Sequence, residues 1–295
     1  MSKKIFALGF FDGVHLGHQA LLTACVQLGQ AQNALPAAIT FDKHPQTLFS
    51  SAVPWMINTG EDRATLLARA GIEKVLVLPT TKDVMSTPWE LFLEHLVQDG
   101  AVGFVCGEDF RFGHKGEGTA EKLQQFCDQK QLPCRIVPEQ KIDGIRVSST
   151  HIRKLLEAGH VEAAARFLGH PHILSGDVMP GRQLGRTIGV PTANIPIPEG
   201  ILVPKRGVYA CFAEVDGQKY AAVTNIGSRP TVGGHEIRAE SWLLDFSGDL
   251  YGKKMTLEFH AFLRPEQKFA SLEALKAQIH ADATKTREIL SFLTF

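Results

Sequence analysis

The chain has 295 residues, 44% of them hydrophobic, and its 31 Lys plus Arg balance 31 Asp plus Glu, so the formal net charge is zero. That length accommodates about two domains with substantial cores, and the neutral balance excludes a global basic field able to hold a polynucleotide by counterion release. Small molecules are therefore the expected substrates, with no nucleic-acid partner. Cys25, Cys106, Cys127, Cys134 and Cys211 are odd in number and scattered. They form no C-x-x-C, so reduced buried thiols are expected, not a disulfide framework or a zinc ribbon. The first apolar run ends at Gly9, which makes it a strand and not a signal peptide, and no run is long enough to span a bilayer. A cytoplasmic protein without membrane contact is expected, its oligomeric state open.

In chain order, residues 5–8 read as a buried strand that breaks at a glycine turn (Gly9, Gly13). Leu21, Leu22, Cys25 and Val26 then predict a helix beginning near His15 to His18. Unpaired N–H groups and the positive end of a helix dipole at such a turn suit a phosphate. His15 and His18 share one face of the first turn, placed to donate to one oxyanion. The spacing is also that of half a metal site, but no Cys or His pair downstream completes a zinc set.

Residues 37–41 predict a second strand, left through Asp42 and His44, which are turn formers at the strand end where parallel sheets bind ligands. Thr59 with Asp62 resembles a capping box, and 74–78 is a strand. Thr87, Pro88 and Glu90 predict a helix capped by Thr87 and running to about residue 98. A strand at 102–106 leads into a glycine-punctuated loop, 107–118, which carries Asp109, Phe110 and Phe112 ahead of a helix at 119–130. The loop has neither the glycine order of a dinucleotide fingerprint nor a P-loop. Asp143-Gly144 predicts a tight hairpin. Ser148, Ser149 and Thr150 open a helix whose apolar positions are Ile152, Leu155 and Leu156, with Arg153 beside them. Alternating strands and helices specify a Rossmann-like α/β unit with a mostly parallel sheet.

After a short helix at 161–168 the pattern changes near residue 170. Strands are predicted at 173–178, 207–215, 220–225, 238–246 and 255–262, with Asp216-Gly217 as a hairpin turn and a last helix from about Ser271. A closed antiparallel β-barrel with a terminal helix is the expected architecture, giving domains 1–169 and 170–295. As plain polypeptide, the stretch with Gly176, Gly181, Arg182 and Gly185 reads as a flexible loop and Pro191 to Asn194 as a turn. Glu240 is a charge in an otherwise apolar strand, facing solvent by default.

The segment Gly9 to His18, GFFDGVHLGH, resembles the H-x-G-H signature of the nucleotidyltransferase superfamily, and specifically the opening of the bifunctional bacterial riboflavin kinase/FMN adenylyltransferases. Further matches are Phe-Asp-Lys-His-Pro at 41–45 (Lys43 standing where many members have proline), Asp109 to Gly113, Ser148 to Arg153, Gly181 to Gly185, Pro191 to Asn194, Asn225 to Thr231 and Arg264 to Glu266, so the resemblance covers almost the whole chain. It implies that ATP phosphates meet Gly9, Phe10, Phe11, Gly13, Gly17, Ser148, Ser149 and Thr150 in the first half, and Gly176, Gly181, Arg182 and Gly185 in the second. It implies His15, His18 and Arg153 as the catalytic groups of adenylyl transfer, Arg153 reaching the departing pyrophosphate. Glu240 would be the general base of a flavin kinase, and Thr192 and Asn194 the holders of Mg²⁺. Asp42, His44, Asp109, Phe110, Phe112 and Arg264 fall on the flavin side. The implied substrates and products are ATP, riboflavin, FMN and FAD. Two other readings stay open: a flavin-binding regulatory protein with reduced catalysis, and an adenylyltransferase with a different acceptor.

Overall fold

The computed structural model describes residues 2–50, 53–180, 189–231 and 234–293. By its internal contacts the chain divides into one unit of Met1–Met56 and Arg63–Ser149 and a second of Ile57–Asp62 and Thr150–Phe295.

The first unit opens with β1 (Lys4–Leu8), buried along its whole length, then α1 (Leu16–Gln32) and β2 (Leu35–Phe41). Helix α2 (Gly60–Arg69) starts at the expected capping box: the Asp62 N–H donates to Thr59 Oγ1 at 3.0 Å and that hydroxyl donates to the Asp62 carboxylate at 2.8 Å. Next come β3 (Lys74–Leu78), α3 (Lys82–Met85), α4 (Trp89–Gln98) and β4 (Ala101–Gly107). The glycine-punctuated loop folds into a small hairpin, β5 (Arg111–Phe112) with β6 (Gly118–Thr119). After α5 (Ala120–Lys130) and β7 (Cys134–Val137), β8 (Lys141–Ile142) and β9 (Ile145–Arg146) pair around Asp143-Gly144. The positive φ angles there, 51° and 77°, are those the predicted turn requires.

One expectation is corrected here. Thr87 does not cap α4; Pro88 occupies the cap with no side-chain bond, and the Thr87 hydroxyl donates to the Asp83 carbonyl at 3.2 Å, closing the turn after α3. That short helix and β7 were not predicted, because four residues are too few to show a period.

All pairings in the five-stranded sheet β3-β2-β1-β4-β7 are parallel. The order reverses between β1 and β4, and such a switch point opens a crevice beyond the carboxyl ends of the strands. Phe6, Leu8, Ile39 and Phe104 bury one sheet face against Leu93 of α4 and Leu123 and Phe126 of α5. Each such side chain contributes roughly 1.5–3 kcal/mol, which makes the sheet a rigid base for its loops.

Besides Ile57–Asp62, which includes the first three residues of α2, the second unit comprises α6 (Ser149–Ala158) from Thr150 onward, and α7 (Val161–Leu168). Strands β10 (His172–Asp177), β11 (Ala193–Pro196), β12 (Gly207–Val215), β13 (Gln218–Thr231), β14 (Gly234–Leu243) and β15 (Lys254–Arg264) follow, then α8 (Leu272–Ser291). They form an antiparallel sheet in the order β10-β15-β12-β13-β14-β11. The barrel is nearly closed: its two edges meet where the Met179 N–H donates to the Asn194 carbonyl at 2.9 Å, not along a full ladder. Gly176 sits at that seam, where a Cβ would lie 2.5 Å from Ile195 Cγ2. The expected turn at 191–194 gives way to strand β11 from Ala193, bounded by prolines that an edge strand tolerates.

Alternation along β14 decides which side chains meet α8. Ala239, Ser241 and Leu243 are buried, with Ser241 bonded to Thr224 at 2.9 Å, while Glu240 and Trp242 stand on the opposite face. Ser271 caps α8 by accepting from the Ala274 N–H at 3.2 Å, and Arg264 of β15 forks onto Asp282 of α8 at 2.8–3.1 Å.

Candidate active sites

In the first unit, His15 is the N-cap of α1: its Nδ1 accepts the His18 backbone N–H at 3.2 Å, so the proton of the neutral ring resides on Nε2. The His15 and His18 rings are stacked, 3.6 Å between centroids and 11° between planes. Burial first, then the nearby His15 and Arg63, holds the His18 pKa well below the ordinary imidazole value. His18 is therefore neutral at pH 7, an oriented dipole beside the amides of the helix N-terminus, and its buried Nδ1 has no hydrogen-bond partner. The preceding turn is strained. Phe11 (φ 58°) and Val14 (φ 41°) sit in the left-handed region beside Gly13 (φ 83°), a conformation unfavourable for aromatic and β-branched residues and concentrated at functional sites.

Several hydrogen bonds hold this turn. Thr40 Oγ1 donates to the Phe10 carbonyl at 2.7 Å, Gln19 to the Val14 carbonyl at 2.9 Å, and Ser149 Oγ to the Asp12 carbonyl at 2.9 Å. The last bond fastens the second predicted phosphate element to the first. Together His15, Gly17, His18, Asp109, Ser148 and Ser149 line a cavity of about 160 Å³. Thr150 is exposed and Arg153 half-buried on α6, in the second unit.

A second, more apolar cavity of about 200 Å³ lies at the same sheet edge, lined by Gly9, Phe10, Phe41, Phe110 and Phe112 among others. Phe110 and Phe112 stack with 5.8 Å between centroids, Phe112 belonging to the core as well. Asp42 is a turn residue whose carboxylate accepts the N–H groups of Lys43 (2.8 Å) and Thr80 (2.7 Å). Burial acts to raise its pKa, but the Thr80 and Lys43 interactions outweigh it and the net direction is down. His44 caps a 3₁₀ turn through Nδ1 and sets its ring edge-on to Phe10 at 5.0 Å. Asp109 is ion-paired with Arg146. A depression of about 410 Å³ around Lys3, Asn33 and Glu73 contains none of the predicted site residues.

Sequence reading missed Arg63. Its side chain is 2% exposed, Nη2 donates to the Phe41 carbonyl at 2.6 Å, and the guanidinium lies 5.0 Å from the Phe10 ring centroid. The signal available was position: Arg63 stands three and four residues before Leu66 and Leu67, on the inward stripe of α2.

The second unit places Glu240 of β14 directly opposite both Asn194 of β11 and Asn225 of β13. Directly paired residues share a face with Cβ atoms about 4.5–5.5 Å apart, so a carboxylate is bracketed by two amides. Thr192, Asn225, Glu240 and Trp242 line a cavity of about 590 Å³ that also takes in Leu272, Leu275 and Ile279 of α8. Asn194 is 3% exposed and its Oδ1 is buried without a partner, while its amide nitrogen donates to the Thr192 carbonyl at 3.4 Å. This orphaned amide oxygen, with the hydroxyl-bearing Thr192 two residues earlier in the chain, is of the oxygen-ligand type that a hard divalent cation requires. Arg264 also lines this cavity, with its guanidinium engaged by Asp282. Asn225, left without a role by sequence reading, donates to Glu266 at 3.3 Å. Gly181, Arg182 and Gly185 lie outside the described residues.

A helix-start anion site at the switch point of a parallel sheet, and a separate carboxylate-centred cavity on a barrel, define a two-site transferase of nucleotidyl and phosphoryl groups. The family model described as FAD synthetase matches residues 1–151, and that described as riboflavin kinase matches residues 168–290. The chain belongs to the bifunctional riboflavin kinase/FMN adenylyltransferase family. It is 35% identical to the Listeria monocytogenes protein of that name, over 99% of this chain and 94% of the relative, and 36% identical to the Escherichia coli K12 protein, over 96% and 92%. A solved Streptococcus pneumoniae structure, named a macrolide-efflux protein, aligns with TM-score 0.86 at 31% identity, covering 97% of this chain and 94% of that one.

Proposed function

We infer that this chain makes FAD from riboflavin in two steps at two sites: riboflavin and ATP give FMN and ADP in the C-terminal domain, and FMN and ATP give FAD and pyrophosphate in the N-terminal domain. The domains are taken as residues 1–169 and 170–295. The observation that carries this reading is that both sites are built on one chain, the stacked His15 and His18 on the cap of α1 and Glu240 bracketed by Asn194 and Asn225.

In the kinase step, Glu240 takes the proton of the ribityl hydroxyl as its oxygen attacks the γ-phosphorus of ATP and ADP leaves. Thr192 and Asn194 would hold Mg²⁺, which when bound would neutralise phosphate charge. Gly176, Gly181, Arg182 and Gly185 are assigned to the ATP side of this site. In the adenylyl step the acceptor is already an anionic phosphate, so the site needs no general base. The FMN phosphate attacks the α-phosphorus and pyrophosphate departs. Nε2–H of His15, the neutral His18 and the α1 N–H groups stabilise charge on the α-phosphate, with Gly9, Phe10, Phe11, Gly13 and Gly17 shaping the turn. Arg153, with Ser148, Ser149 and Thr150, takes the leaving pyrophosphate through a bidentate fork. The apolar cavity with Phe110 and Phe112 receives the flavin ring, Asp42, His44 and Asp109 lying at that edge, and Arg264 borders the flavin of the kinase site.

The balanced charge supports small-molecule substrates over nucleic acid. Among the described residues no helix is long and apolar enough to cross a membrane, and the five cysteines are free thiols, in keeping with a cytoplasmic enzyme. The test is a time course with riboflavin, ATP and Mg²⁺ resolved by chromatography. FMN rises first and FAD follows; FMN alone confines activity to the barrel, and neither product overturns the reading. An Asn194→Ala variant raises the Mg²⁺ concentration needed for half-maximal FMN formation; an unchanged requirement removes Asn194 from the metal site.

A further inference from the structure

Arg63 is a permanent cation enclosed in the first unit with its hydrogen bonding incomplete. Only Nη2 is engaged, by the Phe41 carbonyl at 2.6 Å; Nε and Nη1 are buried and have no partner. A guanidinium offers five donors and cannot shed its charge in a protein. Asp12 and Asp42 act on it electrostatically, yet neither closes a hydrogen bond to the two idle nitrogens. A buried charge with idle donors is costly unless an acceptor arrives to use them.

Its neighbours identify that acceptor. Phe10 and Phe41 both touch Arg63 and both line the apolar cavity assigned to the flavin ring. His18, whose pKa Arg63 helps to depress, lines the cavity assigned to ATP. Arg63 therefore stands behind the wall of the apolar cavity, within electrostatic reach of His18. The ATP phosphates have the α1 N-terminus, the histidines and the serine hydroxyls. The phosphate of the flavin nucleotide, emerging from an apolar cavity, has no other cation assigned to it.

We propose that Arg63 binds the phosphate of FMN, the nucleophile of adenylyl transfer, through Nε and Nη1, with the Phe10 ring moving aside to admit it. The fork orients the attacking oxygen and offsets the repulsion between two anionic phosphates brought to reacting distance. This rests on the N-terminal site being the adenylyltransferase.

The test uses the full chain. Arg63→Gln raises the KM for FMN about tenfold or more while the KM for ATP stays within about twofold, and Arg63→Lys, which keeps the charge but loses the fork, falls between. In the wild-type protein the Arg63 Nε–H resonance, assigned by its loss in Arg63→Lys, shifts on adding FMN and stays in place with riboflavin, which lacks the phosphate. That measurement needs no folded Gln variant. An unchanged KM for FMN, a rise confined to ATP, or an equal response to riboflavin overturns the proposal. If wild-type protein makes no FAD from FMN and ATP, the adenylyltransferase reading itself fails; if it does and only the Arg63 results are negative, that reading survives alone.

Discussion

The two sites solve related chemistry with opposite devices. In the first unit the functional groups are gathered by a turn: β1 delivers the chain to the switch point, strained backbone at Phe11 and Val14 starts α1, and His15 spends one ring nitrogen on capping the helix it starts. In the second they are gathered by register: Asn194, Glu240 and Asn225 come from three strands and meet because they pair. The first arrangement presents amides and neutral imidazoles, suited to stabilising charge on phosphates. The second presents a carboxylate, which a neutral hydroxyl nucleophile requires and an anionic phosphate nucleophile does not.

The contrast breaks first, if it is wrong, at the carboxylate. Glu240→Gln lowers FMN formation by roughly 10²–10⁴-fold, whereas FAD formation from supplied FMN is unaffected; both rates are read by chromatography of the same preparation. At the histidine turn, His18→Ala lowers FAD formation by roughly 10²–10³-fold, as for loss of a transition-state donor, and spares FMN formation. A variant of either kind that abolishes both activities in folded protein contradicts the separation.

Stability probes sharpen the comparison further. Arg264 and the nearly buried Asp282 tie β15 to α8, and Arg264→Ala leaves that carboxylate enclosed without its cation. The expected cost to the second unit is about 3–5 kcal/mol, seen as an early unfolding transition by calorimetry, with FAD formation from supplied FMN retained below it.

The smallest effect is a pH dependence. His172 of β10 is 2% exposed against Phe259, and burial, then the neighbouring His170, lowers its pKa to about 3. A depressed histidine pKa means that the unfolded chain takes up the proton first, so stability is full above the unfolded value near 6.5 and falls as pH drops below it. Between pH 7 and pH 5 the second unit should lose about 2 kcal/mol from this group. His172→Gln should flatten that slope in denaturant titrations; an unaltered slope removes His172 as its source.

What the sequence made legible follows from how local each feature is. The Asp143-Gly144 and Asp216-Gly217 hairpins carry their own φ requirement and were placed correctly, as were the Thr59 cap and the start of the last helix near Ser271. Strand β11 was hidden because Pro191 and Pro196 read as breakers, and only its edge position makes them tolerable. Glu240 was visible as a charge in an apolar run, but its two amide neighbours lie 15 and 46 residues upstream, at Asn225 and Asn194, and only strand pairing brings them to it, which no local pattern reveals. Arg63 is the same lesson in a helix: its place on the apolar stripe was readable, whereas its enclosure beside Phe10 and Phe41 is a tertiary fact.

Mixing the two variants tests the claim of separate sites most directly. His18→Ala alone should turn riboflavin into FMN and stop, and Glu240→Gln alone should leave riboflavin nearly untouched. Combined with ATP and Mg²⁺, the two preparations should restore FAD, because each chain supplies the step the other lacks. A mixture of folded variants that accumulates FMN without FAD, although Glu240→Gln converts supplied FMN, or that makes no FMN at all, would contradict the account.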